Sequence, residues 1–235
     1  MNKPIKKLSS VSFFCPAYYD EKNLPVLIPK VHELLSSITD IFEIIIVEDG
    51  SPDRTGEVAD DLAKHYSYTR VIHHIKNRGY GGALKTGFLE SKYDYVMYTD
   101  GDHQYDVFEF IPNLHLLDNA DIISGYVTKK AVSFSRKFQS FCFNTLITIL
   151  FLTYTKDINC SMKIYKRNVL DTIIIKSNSA FIDAEMILKA KKGGFVVSHF
   201  PVTHYIREQG LASGSKPSVI VHTIKDMFKY RFGVL

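Results

Sequence analysis

The chain has 235 residues, 46% of them hydrophobic and 23% charged. That balance belongs to one large globular domain and excludes a disordered, collagen-like or coiled-coil chain. The formal net charge is +4, but residues 1–130 hold 14 Lys and Arg against 19 Asp and Glu, while residues 131–235 hold 15 against 6.

Residues 1–10 carry lysines with no apolar core behind them, so they read as an N-terminal tail and not a signal peptide. Val11–Cys15 is a β-branched and aromatic run that stops at Pro16, the pattern of a strand. Asn23 is placed to cap a helix reaching about Ser37, with Leu24, Leu27, Val31, Leu34 and Leu35 on its apolar face. Pro25 suits its first turn, and Pro29 distorts it. Phe42–Val47 is a near-continuous apolar run, as in a parallel strand buried on both faces. There follow a helix over Thr55–Tyr66, a strand over Arg70–Ile75, a helix over Gly81–Ser91, a strand over Tyr93–Thr99 and a short strand at Asp121–Ser124. Phe141–Leu152 is apolar on every face yet shorter than the roughly 18 residues that span a bilayer. It reads as a buried helix or one lying in a membrane interface. Asp157–Tyr165 is a loop entering an extended run, Ala180–Lys191 a helix and Gly193–Phe200 a strand. Residues 207–217, with Gly210, Gly214 and Pro217, form a loop. A C-terminal amphipathic helix occupies 216–235, with Ile220, Val221, Ile224, Met227 and Phe228 apolar and Lys225, Lys229 and Arg231 basic.

The alternation of strands and helices predicts an α/β fold, a mostly parallel sheet with helices on both faces, in one domain over residues 11–215. Such sheets bind ligands beyond the carboxyl ends of their strands. Polar loops fall at four of those ends: 17–21, 48–53, 77–82 and 100–104. Three cysteines (Cys15, Cys142, Cys160) stand far apart without a Cys-x-x-Cys pair, which argues against a disulfide framework or zinc cluster and for a reducing compartment. The charge asymmetry suggests a cation or sugar for the acidic half and a phosphate or anionic membrane for the basic half.

The sharpest site signal is Asp100-Gly101-Asp102-His103-Gln104. In extended backbone, residues two apart share a face, so Asp100 and Asp102 can aim carboxylates at one point and Gln104 can add an amide oxygen. Such hard oxygen ligands suit Mg²⁺ or Mn²⁺. Glu48 and Asp49 directly follow an apolar strand, where a carboxylate accepts N–H bonds from a nucleobase or O–H bonds from a ribose. Asp53 reads as a turn or cap residue. The turn Asn77-Arg78-Gly79-Tyr80-Gly81-Gly82 can offer backbone N–H groups to an anion, although it is neither a Walker loop nor a Rossmann fingerprint. The histidines show no ligand spacing, and no aromatic-basic motif points to nucleic acid.

Taken together, CPAYYDEKNL (15–24), IIIVEDGSPDRTGE (44–57), NRGYGGALKTGF (77–88), YTDGDHQYD (98–106), DINCSMKIY (157–165) and REQGLASGSK (207–216) resemble the family 2 glycosyltransferases of GT-A fold, in particular the polyprenyl-phosphate sugar synthases of the dolichyl-phosphate mannose synthase group. The resemblance implies a metal-dependent, inverting transfer of a sugar from a nucleotide diphosphate, of GDP-mannose or UDP-glucose type, to dolichyl or undecaprenyl phosphate. It implies that Pro16, Ala17, Tyr19, Glu21, Glu48 and Asp49 hold the nucleotide, joined by Asn77, Gly79 and Asp100, and that Asp100, Asp102 and Gln104 hold Mg²⁺ or Mn²⁺. Asp102 and Asp157 take the catalytic roles. Lys129, Lys130, Arg136, Arg207, Ser215 and Lys216 lie near acceptor or donor phosphates. The chain departs from the common pattern where Tyr-Asp-Glu replaces Tyr-Asn-Glu in the first loop, Glu48 replaces Asp as the first acid of the second, Cys-Ser-Met-Lys (160–163) replaces Cys-Gly-Phe-Lys, and Leu211-Ala212 are added before Ser213-Gly214-Ser215. The implied setting is cytoplasmic, peripheral on an anionic membrane or bound to a membrane partner subunit, with a homo-oligomer also compatible. Transfer to a hydroxyl of a cell-surface glycan remains the alternative; it needs a general base, for which Asp157 is the candidate with Glu185 behind it. A nucleotidyltransferase would carry a glycine-rich, Arg-containing first loop, and a non-catalytic scaffold would not need Asp100, Asp102 and Gln104.

Overall fold

The computed structural model describes residues 5–130, 134–206 and 217–235, without the side chains of residues 129, 130, 134–140 and 217. Its framework is set by two adjacent strands, β1 (Val11–Ala17) and β2 (Phe42–Glu48), paired in parallel from Val11↔Phe42 to Ala17↔Glu48. All seven residues of β2 are buried, which explains its unbroken apolar run. Their alternation splits the core into two layers. Phe13, Ile44 and Ile46 face one side with the helix α1 (Leu24–Ile38), while Phe14, Ile45 and Val47 face the other with α3 (Gly79–Glu90). Each such Phe, Ile or Leu contributes on the order of 1.5–3 kcal/mol when fully buried.

Strands β3 (Thr69–His73) and β4 (Tyr95–Tyr98) join in parallel outside β2 and β1. Beyond β4 the direction reverses. β6 (Lys163–Lys166) is antiparallel to both β4 and β5 (Ile122–Lys130), and β7 (Val197–His204) closes the edge parallel to β5. Among the described residues the seven strands form one sheet in the order β3-β2-β1-β4-β6-β5-β7. The reversal sets Lys163, at the start of β6, opposite Tyr98, at the end of β4.

The remaining helices are α2 (Thr55–His65), α4 (Phe134–Phe151), α5 (Arg167–Thr172), α6 (Ile182–Lys192) and α7 (Pro217–Arg231). A 3₁₀ segment over Val107–Asp118, which the sequence pattern does not announce, covers the α1 side of the sheet through Phe110 and Leu114. Other differences from expectation are local. Asn23 does not cap α1 with its side chain. Its amide donates to Asp20 Oδ1 at 2.8 Å, and the Asp20 carbonyl receives the N–H groups of Asn23 and Leu24. β3 stops at His73, and Ile75 is 97% exposed. β5 runs six residues past Ser124, and β7 starts four residues after Gly193.

α4 is longer than predicted and is not buried on all faces. Ile147 faces the core, with Leu146 and Leu150 packed beside it, but Phe141 and Ile149 are exposed. α7 packs through Met227, Thr223 and Tyr230, whose ring lies 5.6 Å from those of Phe151 and Phe181. Ile220, Val221, Ile224 and Phe228, expected on one apolar face with Met227, are each more than a third exposed. Among the described residues no helix is long and apolar enough to cross a membrane.

Candidate active site

The level carboxyl ends of β1, β2 and β4 deliver three loops to one edge of the sheet, as parallel register requires. With the turn ahead of α3 and the first turn of α6 they line a cleft of about 1180 Å³. Pro16, Ala17, Asp49, Asn77, Gly79, Asp100, Asp102, Gln104 and Asp157 all line it.

Tyr19, Glu21 and Glu48 do not line that cleft. Glu48 and Asp49 are neighbours in near-extended chain, so they point to opposite sides. Glu48 turns toward α2, where its Oε2 lies 3.2 Å from His73 Nδ1 and its Oε1 accepts the N–H of Ser51. Tyr19 donates its N–H to Ser51 Oγ at 2.9 Å, and Glu21 accepts the N–H of Arg54 at 3.2 Å. These three residues brace the loops that carry the lining. Asp53 has the turn role expected of it, accepting from Ser51 Oγ and from the N–H and hydroxyl of Thr55.

Asp49 is held tightly. Its N–H donates to Ala17 O at 3.0 Å, and its Oδ1 lies 2.6 Å from His74 Nδ1 while accepting the N–H of Arg78 at 2.8 Å. Asn77 ties the next loop to it, donating to Asp49 O at 3.1 Å. The chain turns between them at Gly50, whose φ is +64°, a value that disfavours a side chain.

Asp100 and Asp102 sit past β4. The Gly101 N–H donates to Pro16 O, which ties their loop to the end of β1. Asp102 Oδ1 accepts the N–H of Gln104, and Gln104 is fixed by donating its side-chain amide to Tyr205 O at 2.9 Å. His103 turns away toward α1, its Nε2 2.9 Å from Lys30 Nζ. The Asp100 carboxyl is pushed up to about 7, first by burial and then by the negative charges of Asp102 and Asp183. Its Oδ1 is buried with no hydrogen-bond partner. Among the described residues no group of three His, Cys, Asp or Glu side chains is placed to hold a metal. Two carboxylates, one with an orphaned buried oxygen, nevertheless fit a hard cation that completes its shell with phosphate oxygens and water.

Behind them lies a buried polar network that sequence reasoning missed. Lys163, fully buried in β6, donates to Asp183 Oδ1 at 2.7 Å, to Tyr98 OH at 3.0 Å and to Cys160 O. Tyr98 also donates to Asp183 Oδ1. The Tyr80 hydroxyl donates to Asp183 Oδ2 at 3.2 Å and also faces Asp100. Asp183 lines the cleft, whereas Glu185, two residues on and so on another side of α6, does not. Glu185 accepts the N–H groups of Lys176 and Ser177 at 2.9 and 2.8 Å and pairs with Lys189. It anchors the loop before α6 and does not face the cleft beside Asp157. Asp157 itself is buried at the cleft wall and accepts the Val127 N–H at 3.3 Å.

Lys129 and Lys130 end β5 and Arg136 is in α4, but their side chains lie outside the described structure. Arg207, Ser215 and Lys216 lie outside the described residues.

The family model described as Glycosyl transferase family 2 matches residues 12–174. The glycosyltransferase AglD of Haloferax volcanii is 29% identical over 202 residues, 82% of this chain and 32% of its own. The chain thus spans about a third of that relative. The polyprenol monophosphomannose synthase of Mycolicibacterium smegmatis is 29% identical over 217 residues, 87% of this chain and 80% of its own. Among solved structures, glucosyl-3-phosphoglycerate synthase from Mycobacterium tuberculosis, in complex with Mn²⁺, UDP and glucosyl-3-phosphoglycerate, superposes with a TM-score of 0.73 over 96% of this chain and 80% of that one, at 15% identity. The shared fold is the GT-A arrangement.

Proposed function

The chain belongs to glycosyl transferase family 2, and from that premise we propose that it moves a sugar from a nucleoside diphosphate donor of GDP-mannose or UDP-glucose type to a polyprenyl phosphate. The observation that carries this reading is the pair Asp100 and Asp102 in one cleft with Asp49, the first with a buried, unpartnered oxygen. Asp49 would accept an N–H of the base, and the Asn77–Gly79 turn would border the nucleotide. Asp100 and Asp102 would hold Mg²⁺ or Mn²⁺. When bound, that cation offsets the charge developing on the departing diphosphate.

The engagement of the other carboxylates supports a phosphate acceptor over a hydroxyl. A hydroxyl acceptor needs a base within hydrogen-bond reach. Asp183 has both oxygens engaged by Lys163, Tyr98 and Tyr80, and Glu185 is turned away. A phosphate monoester, with a second pKa of about 6, is already largely ionised near neutrality. It attacks without a base, from the face opposite the diphosphate, and inverts the anomeric carbon. Asp157 at the wall then orients and needs to remove no proton. The relative from M. smegmatis bears the name of an enzyme with such an acceptor.

Contact with the lipid would be peripheral. Phe141, Ile149 and Leu152 on and after α4, and Val221, Phe228 and Phe232 on and after α7, are exposed, beside the basic Lys225 and Arg231. This combination suits an anionic bilayer surface at the cytoplasmic face. The test is transfer of radiolabel from UDP-glucose and GDP-mannose, with Mg²⁺ or Mn²⁺, into butanol-extractable polyprenyl phosphate product. Label appearing only on a free glycan acceptor would replace this reading with hydroxyl transfer.

A further inference from the structure

The nucleotide site holds a feature that bears on which base it takes. Asp49 is 3% exposed, and its carboxylate is not free to turn. His74 is buried beside it, with Nδ1 2.6 Å from Asp49 Oδ1 and Nε2 2.9 Å from Thr86 Oγ1 in the middle of α3. A carboxylate oxygen only accepts, so the proton between them sits on His74 Nδ1. The N–H of Arg78 fills the same Oδ1 at 2.8 Å. Among the described residues Asp49 Oδ2 has no hydrogen-bond partner. A carboxylate with both oxygens available would match the paired N1–H and N2–H donors of guanine. Asp49 instead offers one acceptor, which matches the single N3–H of uracil. Arg78 lines the cleft next to it, and its guanidinium carries only donors, which suits the carbonyls flanking that N3–H.

We propose that the donor is a uridine diphosphate sugar, and that His74 is the positioning residue that makes the site read uracil by reserving one oxygen of Asp49. This rests on the reading above, in which Asp49 meets the base. A guanine in the same place would bury an N–H without an acceptor, and sites built on hydrogen bonds discriminate strongly against such a mismatch.

The experiment is calorimetric titration of the full chain with UDP, GDP, CDP and ADP, each with MnCl₂, followed by the same panel on His74→Ala and His74→Gln. UDP is expected to bind at least about tenfold tighter than GDP, the worth of one hydrogen bond to a charged group. In His74→Ala the UDP affinity should fall by about tenfold and the UDP:GDP ratio should narrow, because only the Arg78 N–H then holds Asp49 Oδ1; the amide of Gln should restore part of the ratio. Turnover by His74→Ala should show a raised donor KM with kcat nearly unchanged at saturation. A purely structural role for His74 would leave the base ratio where it was. GDP, CDP or ADP binding as tightly as UDP overturns the uridine assignment while leaving the nucleotide site standing. A base ratio unmoved in a folded His74→Ala, or in His74→Gln should Ala not fold, overturns the role of His74. If no nucleotide binds, or if Asp49→Asn leaves UDP affinity intact, the reading of the cleft itself fails and takes this inference with it.

Discussion

The N–H of Gly101 donates to the carbonyl of Pro16 at 3.2 Å, and a Cβ placed on Gly101 would lie 2.5 Å from that same oxygen. The loop bearing Asp100 and Asp102 is therefore seated directly on the end of β1, with backbone against backbone. The closest obstacle is that backbone oxygen; the Asp20 carboxylate lies farther off, at 3.2 Å. Gly101→Ala should force the two strand ends apart, destabilise the protein by about 1–3 kcal/mol and lower turnover more than stability alone explains. Chemical denaturation alongside donor kinetics checks both; an alanine variant with normal kinetics would mean the loop need not sit on β1.

Asp100 also makes a pH prediction. Its carboxyl is raised from 3.8 to about 7, chiefly by burial and next by Asp102 and Asp183. A raised carboxyl means that the folded state holds a proton the unfolded chain has released, so stability is greatest below the unfolded value and falls as pH rises through 4 to 7. Asp100→Asn removes that loss. In the presence of a chelator at pH 8 the variant should be more stable than the parent by roughly 1–4 kcal/mol while transferring no sugar. Thermal melts from pH 5 to 8 measure it, with the difference shrinking toward pH 5. Divalent cation should stabilise the parent and not the variant.

The buried pair Lys163–Asp183 predicts a strong and non-additive effect. Both side chains are almost wholly inaccessible. Lys163→Met leaves Asp183 charged and uncompensated, which costs about 3–5 kcal/mol. Asp183→Asn drops the charge and keeps one acceptor oxygen, so only one of Tyr98 and Tyr80 can still donate to it. The double variant Lys163→Met/Asp183→Asn should consequently be more stable than Lys163→Met alone, read from urea midpoints. Simple additivity would show that the two do not act as a pair.

These residues also mark where the sequence stops being readable. The parallel half was legible because apolar period and strand-end acids are local signals: Phe42–Val47 reads as a buried strand, and Asp100, Asp102 and Asp49 reach the cleft from loops at predicted strand ends. The other half depends on long-range pairing. That β6 runs antiparallel to β4, and so carries Lys163 to Tyr98 and Asp183, is not encoded in the pattern CSMKIY itself. The available hint was a lysine inside an otherwise apolar run, a residue type that is buried only when paired. Glu185 and Asp183 were likewise indistinguishable without the rotation of α6. The choice between adjacent Glu48 and Asp49 needed the end of β2 to be fixed to a residue, since a slip by one exchanges their faces.

The lipid contact proposed for the outer faces of α4 and α7 can be tested apart from the chemistry. Phe232 is 74% exposed and meets the protein mainly through Phe228, 6.4 Å away between ring centroids. Phe232→Glu should leave the fold within about 0.5 kcal/mol of the parent, as exposed substitutions do. It adds a negative charge where an anionic bilayer would approach and removes a ring whose burial is worth about 1.5–3 kcal/mol. Cosedimentation with phosphatidylglycerol vesicles should then weaken by tenfold or so, the counterpart of that energy. Transfer to a long polyprenyl phosphate in vesicles should drop with it, whereas transfer to a short, water-soluble prenyl phosphate should keep the parent rate, because the cleft is untouched. Loss on both acceptors would place Phe232 in the structure of the site, and loss on neither would put the membrane contact on another face.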